Sequence, residues 1–308
     1  MVSLVSPRVS APEAPAPAPR RRGSIARGRR RLGIAYAAPM AVLVAVFFVI
    51  PLGLMLWMSV SHWPLVGASY PNGVKNYDAL SDPLFLRAVW FTLKYTLVTT
   101  VVLSLVAFGL ALLVQHDRRG TGFARTVFFL PSAVGLASTS LLFYGLFNTD
   151  SSALNHLVDF LGFGRADWLG SGGSALGSTV GMITWRFAGF SMLILMTGLQ
   201  GIDPALYEAA RIDGANRWQI LWRVTLPQLR PTLALAMVLS LTGSLLAFDQ
   251  FFILTGGRHD TATVVIDIYR EAFLSQDLGR AAAVSVATLA VLIVLNVAQL
   301  RLIRREGK

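Results

Sequence analysis

Residues 88–114 read AVWFTLKYTLVTTVVLSLVAFGLALLV, a run whose only charged side chain is Lys94. A bilayer hydrocarbon core about 30 Å thick needs roughly 20 apolar residues per helical crossing. A segment that crosses alone must be helical, because every backbone N–H and C=O has to be satisfied within it. Lys94 lies close enough to one end of the run for its ammonium to reach the interface along its own methylenes.

Outward from this run, comparable stretches lie near 35–60, 127–147, 177–199, 232–255 and 281–302. Together they predict an all-α polytopic membrane protein with six transmembrane helices. The run at 177–199 is the least apolar, since it contains Arg186 and several glycines. Pro39, Pro51 and Pro131 fall within or near the ends of runs, where they kink a helix without forbidding it. The whole composition agrees: 54% of the 308 residues are hydrophobic and 14% charged, with mean hydropathy +0.59, outside the range of ordinary soluble domains.

The formal charge of +11 would suggest nucleic acid in a soluble chain. Its distribution points to membrane topology and anionic headgroups instead. With the N-terminus inside, 19 Lys and Arg fall on the inner side and six on the outer, so both termini are expected in the cytoplasm of a bacterial cell membrane. Residues 1–32, with alternating Ala and Pro and two Arg triplets, read as a disordered cytoplasmic tail. The apolar stretch after it is too long for the core of a secretory signal and lacks a small-residue cleavage site. The absence of Cys removes disulfides, thiolate metal sites and cysteine nucleophiles from consideration.

Between the fourth and fifth runs, residues 200–231 form an inner loop longer than a simple connection needs. Asp203-Pro204 is a helix start: Asp accepts from free N–H groups and Pro takes the first helical position. The helix should reach Ile212, with Gly214 supplying the left-handed turn beyond it. Trp218, Leu221, Trp222 and Thr225 then recur at helical spacing, predicting a second short helix that Pro227 and Pro231 stop. An amphipathic element lying on headgroups would show a similar pattern.

The residue identities add more. Glu208-Ala209-Ala210-Arg211-Ile212-Asp213-Gly214-Ala215, followed by Thr225-Leu226-Pro227, resembles the EAA loop of binding-protein-dependent ABC importer permeases. Leu221 stands at the usual aromatic position and Val224 at the usual Ile. The resemblance extends from about 33 to 305, leaving 306–308 as a cytoplasmic end. Its detail, including Phe248-Asp249-Gln250 and Leu254-Thr255-Gly256-Gly257, is similar to the maltose and glycerol-phosphate branch. It implies that Pro204 to Ile212 is a coupling helix seated on a separate cytoplasmic ATPase dimer, with Glu208, Ala209, Ala210, Asp213, Gly214, Ala215, Leu226 and Pro227 as coupling residues. It further implies a second permease subunit, an extracytoplasmic solute-binding protein, and ATP with Mg held by the ATPase rather than by this chain.

Charges within spans face a cavity or a partner. Arg186 and Asp249 are the clear cases, and the resemblance puts their helices near the translocation path. Asp249 and Gln250 could bond sugar hydroxyls while Trp185, Phe248 and Phe251 stack on an apolar sugar face. Arg186 and Asp249 could equally pair with each other or with the second permease. His62, His116, His156 and His259 lack ligand spacing, so no metal is expected, and no G-x-x-x-x-G-K-[ST] loop is present. The chain is therefore expected to be a translocation subunit and not an enzyme. The alternatives are a proton-coupled carrier with Asp249 as relay, or an importer permease for a non-sugar solute.

Overall fold

The computed structural model describes residues 36–116, 119–148, 152–162 and 164–306, with side chains as far as residue 301. The expected tail 1–32 lies outside the described residues, as do residues 307–308. The chain divides into two units, Met1–Leu54 and Met55–Lys308. In the first, the described residues are helical and include the apolar side chains Val42, Phe47, Phe48 and Ile50. This helix, α1, runs Tyr36–Ser59 and contains a π-helical turn, Ala45–Val49.

The second unit begins in the last residues of α1. A two-residue hairpin, β1 Ser61–His62 against β2 Tyr70–Pro71, follows. Asn76 pins it by donating to the carbonyls of Ser59 and Ser61 at 3.0 and 2.8 Å. The helices are then α2 Pro83–Val114, α3 Thr121–Phe129 with a 3-10 extension Leu130–Ala133, α4 Leu136–Phe147, α5 Ala153–Phe160 and α6 Gly172–Gln200. Beyond these come α7 Pro204–Ile212, α8 Arg217–Leu245, α9 Asp249–Leu254, α10 Val264–Tyr269 with a π turn Arg270–Leu274, and α11 Leu278–Glu306.

The run quoted first is α2, and it starts five residues earlier than its apolar stretch. Asp82 accepts from the Leu84 N–H at 2.9 Å and Pro83 takes the first position. Its buried residues include Ala88, Phe91, Tyr95, Thr99, Leu103, Ala107 and Val114, a helical stripe that packs along α6 and α8. The weak apolarity of 177–199 has a simple cause. Within the apolar window of α6, 61% of residues are buried inside the protein, against none in α1. A central helix meets protein rather than lipid, so its small and polar residues are tolerated.

Two expected spans are built differently. The stretch 127–147 is not one helix, because α3 with its extension meets α4 at 94°. Pro131 lies in the 3-10 extension and Gly135 precedes α4. A break at membrane depth frees backbone groups that lipid cannot satisfy, and Arg186 donates from Nε to the Val134 carbonyl at 2.9 Å. The stretch 232–255 is also not one helix. α8 begins at Arg217, passes through both Pro227 and Pro231, and ends at Leu245. The expected short helix 218–225 is therefore the first part of the span itself.

Pro227 is tolerated because a π turn, Leu221–Thr225, widens the helix just before it. The same spacing occurs in α1, where the π turn Ala45–Val49 precedes Pro51. In each case the wider turn makes room for a ring that would otherwise strike the carbonyl four residues back.

Candidate functional site

Two candidate regions lie at opposite ends of α8. The first is α7 and its surroundings. Asp203 accepts from the Ala205 N–H at 2.9 Å and Pro204 opens the helix. Gly214, at φ +77°, takes the left-handed conformation beyond Asp213, and the Ala215 N–H closes the turn on the Ala210 carbonyl at 2.9 Å. Asn216 then starts α8 with a reciprocal cap, its side chain and that of Gln219 each accepting from the other's backbone at 2.8 Å. This Asn-x-x-Gln signal was legible in the sequence and was missed.

Glu208, Ala209, Asp213 and Gly214 are exposed, while Ala210, Ala215, Leu226 and Pro227 are half-buried. α7 touches α8 through the Tyr207 hydroxyl, 3.4 Å from Thr225 Oγ1. Between α7, the ends of α2 and α6 and the start of α8 lies a groove of about 800 Å³ whose polar lining includes Gln115, His116, Glu208, Arg211 and Arg217. Glu208 makes no ion pair among the described residues.

The second region is a cavity of about 220 Å³ between α2, α6, α8 and the start of α9, lined by Tyr95, Phe187, Phe190, Ser240, Ser244 and Gln250 among others. Gln250, 3% exposed, donates from Nε2 to the Tyr95 hydroxyl at 3.2 Å. Thr99 and Ser244 lie beside the same Tyr95 hydroxyl, and Gln250 Oε1 is buried without a partner among the described residues.

Of the six residues expected along a solute path, Gln250 alone lines the cavity. Phe251 is fully buried, with its ring edge-on to Phe91 and Tyr95 at 4.9 and 4.8 Å. Phe248 stacks on Phe252 at 4.9 Å and also meets Tyr269. Trp185 is 46% exposed and packs on Phe143 at 5.3 Å. Arg186 is occupied by the Val134 carbonyl and lies 4.2 Å from the Phe187 ring centroid. Asp249 sits in the first turn of α9, after the break that ends α8, and makes no ion pair with Arg186. The break is itself sealed by Thr263, which donates to the Ala247 carbonyl at 2.6 Å.

The residues that line the wall without having been expected there, such as Tyr95, Thr99, Ser240 and Ser244, are hydroxyls inside apolar runs. Their helical spacing put Tyr95 and Thr99 on one face, but nothing local distinguished that face from the lipid face.

Outside the spans, Asp267 on α10 is 8% exposed. Burial, followed by the nearby Glu271 charge, pushes its carboxyl up to about 6. Arg280 crosses from α11 to Glu271 at 3.4 Å and to Asp82 at 3.8 Å, tying α10 and the start of α2 to the last span.

A helical bundle with spans of this length, an internal cavity between them and an exposed helix–turn–helix loop defines a multi-pass membrane permease. The chain belongs to the family described as binding-protein-dependent transport system inner membrane component, whose model matches residues 104–308. It is 30% identical to the probable ABC transporter permease protein YurN of Bacillus subtilis, over 85% of this chain and 92% of the relative. Its identity to the sn-glycerol-3-phosphate transport system permease protein UgpA of Escherichia coli strain 536 is 33%, over 88% and 92%. With the multiple sugar-binding transport system permease protein MsmF of Streptococcus mutans it is 30%, over 86% and 92%. In fold it matches a chain of a bacterial alginate ABC transporter, crystallised with an alginate pentasaccharide-bound periplasmic protein, at TM-score 0.80. That match covers 93% of this chain and 99% of the other at 23% identity.

The chain is thus an ABC importer permease, and these relatives are transport subunits rather than enzymes. They give no support to a proton-coupled carrier using Asp249.

Proposed function

We propose that this chain is one of two permease subunits in an ATP-driven importer of a sugar or sugar-like solute. Residues 33–305 form the transmembrane domain and both termini face the cytoplasm. The partners are a second permease, a cytoplasmic ATPase dimer that holds ATP and Mg, and an extracytoplasmic solute-binding protein. The named cargoes of the relatives, multiple sugars and glycerol-3-phosphate, support the solute class.

The observation that carries the coupling role is the exposed position of α7. It presents Glu208 and the thin Ala209 surface to solvent, while Tyr207 and Thr225 connect the same helix to α8. A push on α7 from a closing ATPase therefore reaches the start of the span whose other half lines the cavity. Gly214 lets the chain turn tightly between the two helices. A charge on Glu208 sets register and partner choice more than net affinity. The proposed solute path runs along the cavity wall through Gln250, and the other expected path residues, Trp185, Arg186, Phe248, Asp249 and Phe251, lie outside that wall.

Glu208→Arg in the complete transporter tests the coupling. Permease abundance should stay normal while ATP-dependent uptake falls by about tenfold or more, the scale of losing a charge-assisted contact. Normal uptake by that variant would remove Glu208 from the coupling interface.

A further inference from the structure

The lining of the cavity sets the charge of the solute, and this rests on the importer reading above. Three charged residues stand next in sequence to a lining residue, namely Lys94 beside Tyr95, Arg186 beside Phe187, and Asp249 beside Gln250. None of the three is in the lining. Lys94 Nζ lies 5.2 Å from the centroid of the Trp90 ring. Arg186 is held by the Val134 carbonyl and the Phe187 ring. Asp249 stands in the first turn of α9.

What remains in the wall is neutral. Tyr95, Thr99, Ser191, Ser240, Ser244 and Gln250 supply polar groups, while Phe187 and Phe190 supply apolar aromatic surface. A phosphate, sulfonate or carboxylate entering such a site loses its hydration without gaining a counter-charge, the costliest transfer a protein interior imposes. A sugar hydroxyl both donates and accepts, so it can pair with the neutral hydroxyl and amide groups of this wall.

We infer that this permease passes an uncharged, polyhydroxylated solute with an apolar ring face, a neutral saccharide, and rejects anionic sugars of the sugar-phosphate, sulfonated or uronate kind. The named cargo of the glycerol-3-phosphate permease is by contrast an anion.

The test begins without any substitution. The native host and a strain lacking only this chain are grown on a mixed plant and microbial polysaccharide hydrolysate, and mass spectrometry identifies the solutes left behind by the deletion strain alone. Uptake of the identified solute is then measured with the complete transporter in proteoliposomes, with and without ATP. A neutral saccharide as the lost solute supports the inference, and a phosphorylated, sulfonated or carboxylated one overturns it. Uptake that proceeds without ATP would instead strike the importer reading, so the two failures are distinct.

Two variants of the assembled complex then probe the wall. Gln250→Leu should lower uptake at limiting solute by about tenfold, and Ser240→Ala, which disturbs the core less, by about threefold. Unchanged uptake in both would show that this wall does not meet the solute.

Discussion

Gly189 should not accept even a methyl group. It lies on α6 between Phe187 and Phe190, two residues of the cavity wall. At this point α6 crosses the broken span so closely that an added Cβ would fall inside the Phe128 carbonyl and 2.8 Å from Phe129 Cα. Both obstacles are backbone, so no rotamer change relieves them and the two helices must separate. Overpacking of this kind costs about 1–3 kcal/mol, and close helix approach through small residues is a main source of association energy where lipid surrounds the protein.

Gly181, two turns away on the same helix, is the internal control. A Cβ there meets nothing within 4 Å, so Gly181→Ala should be neutral or stabilise by up to about 1 kcal/mol through lower backbone entropy in the unfolded chain. Thermal unfolding of both variants in detergent, followed by size-exclusion fluorescence, makes the comparison. Gly189→Ala should lower the midpoint by several degrees relative to Gly181→Ala. It should also reduce uptake, because Phe187 and Phe190 move with the backbone. Equal midpoints would refute the close crossing of α3 and α6.

Two further outcomes are expected. Asp267 binds its proton up to about pH 6 when folded, against 3.8 as its ordinary value. Between those values the folded state holds a proton the unfolded chain has released, so stability falls as pH rises through that window. Asp267→Asn should be pH-insensitive there by comparison, the gap reaching about 2–3 kcal/mol, and parallel melting curves at pH 4 and pH 7 would contradict this. Arg186→Met leaves the Val134 carbonyl unbonded at the break and should destabilise by about 1–3 kcal/mol, with lowered yield of folded protein. A variant with full stability but a changed solute preference would return Arg186 to the solute path.

The elements legible in the sequence are those with local signals. α7 runs Pro204–Ile212, as Asp203, Pro204 and Gly214 require, because caps and left-handed glycines act over a few residues. Apolar length marked α1, α2, α6 and α11 to within about five residues at each end, and boundaries are where local reading is weakest. Prolines misled at 131 and 231 in opposite senses. Pro131 accompanies a 94° break, while Pro231 rides inside α8. A proline removes the same donor in both places. What differs is the neighbouring structure that takes up the freed carbonyl or widens the helix.

The sequence by itself determined that this chain crosses a membrane by helices, and it carried the motif of the loop on which an ATPase is proposed to act. Both follow from chemistry that is local: the cost of bare backbone in hydrocarbon, and the capping of one short helix. Only the tertiary structure decided which faces of those helices meet each other. Tyr95 is separated from Ser240 and Gln250 by well over a hundred residues of chain, and helical periodicity alone cannot say whether a hydroxyl in an apolar run faces lipid, a neighbour or a cavity. Packing of α2, α6 and α8 brought the neutral polar groups to one wall and left Lys94, Arg186 and Asp249 outside it. In a medium without water to mask a misplaced charge, that arrangement decides what can pass.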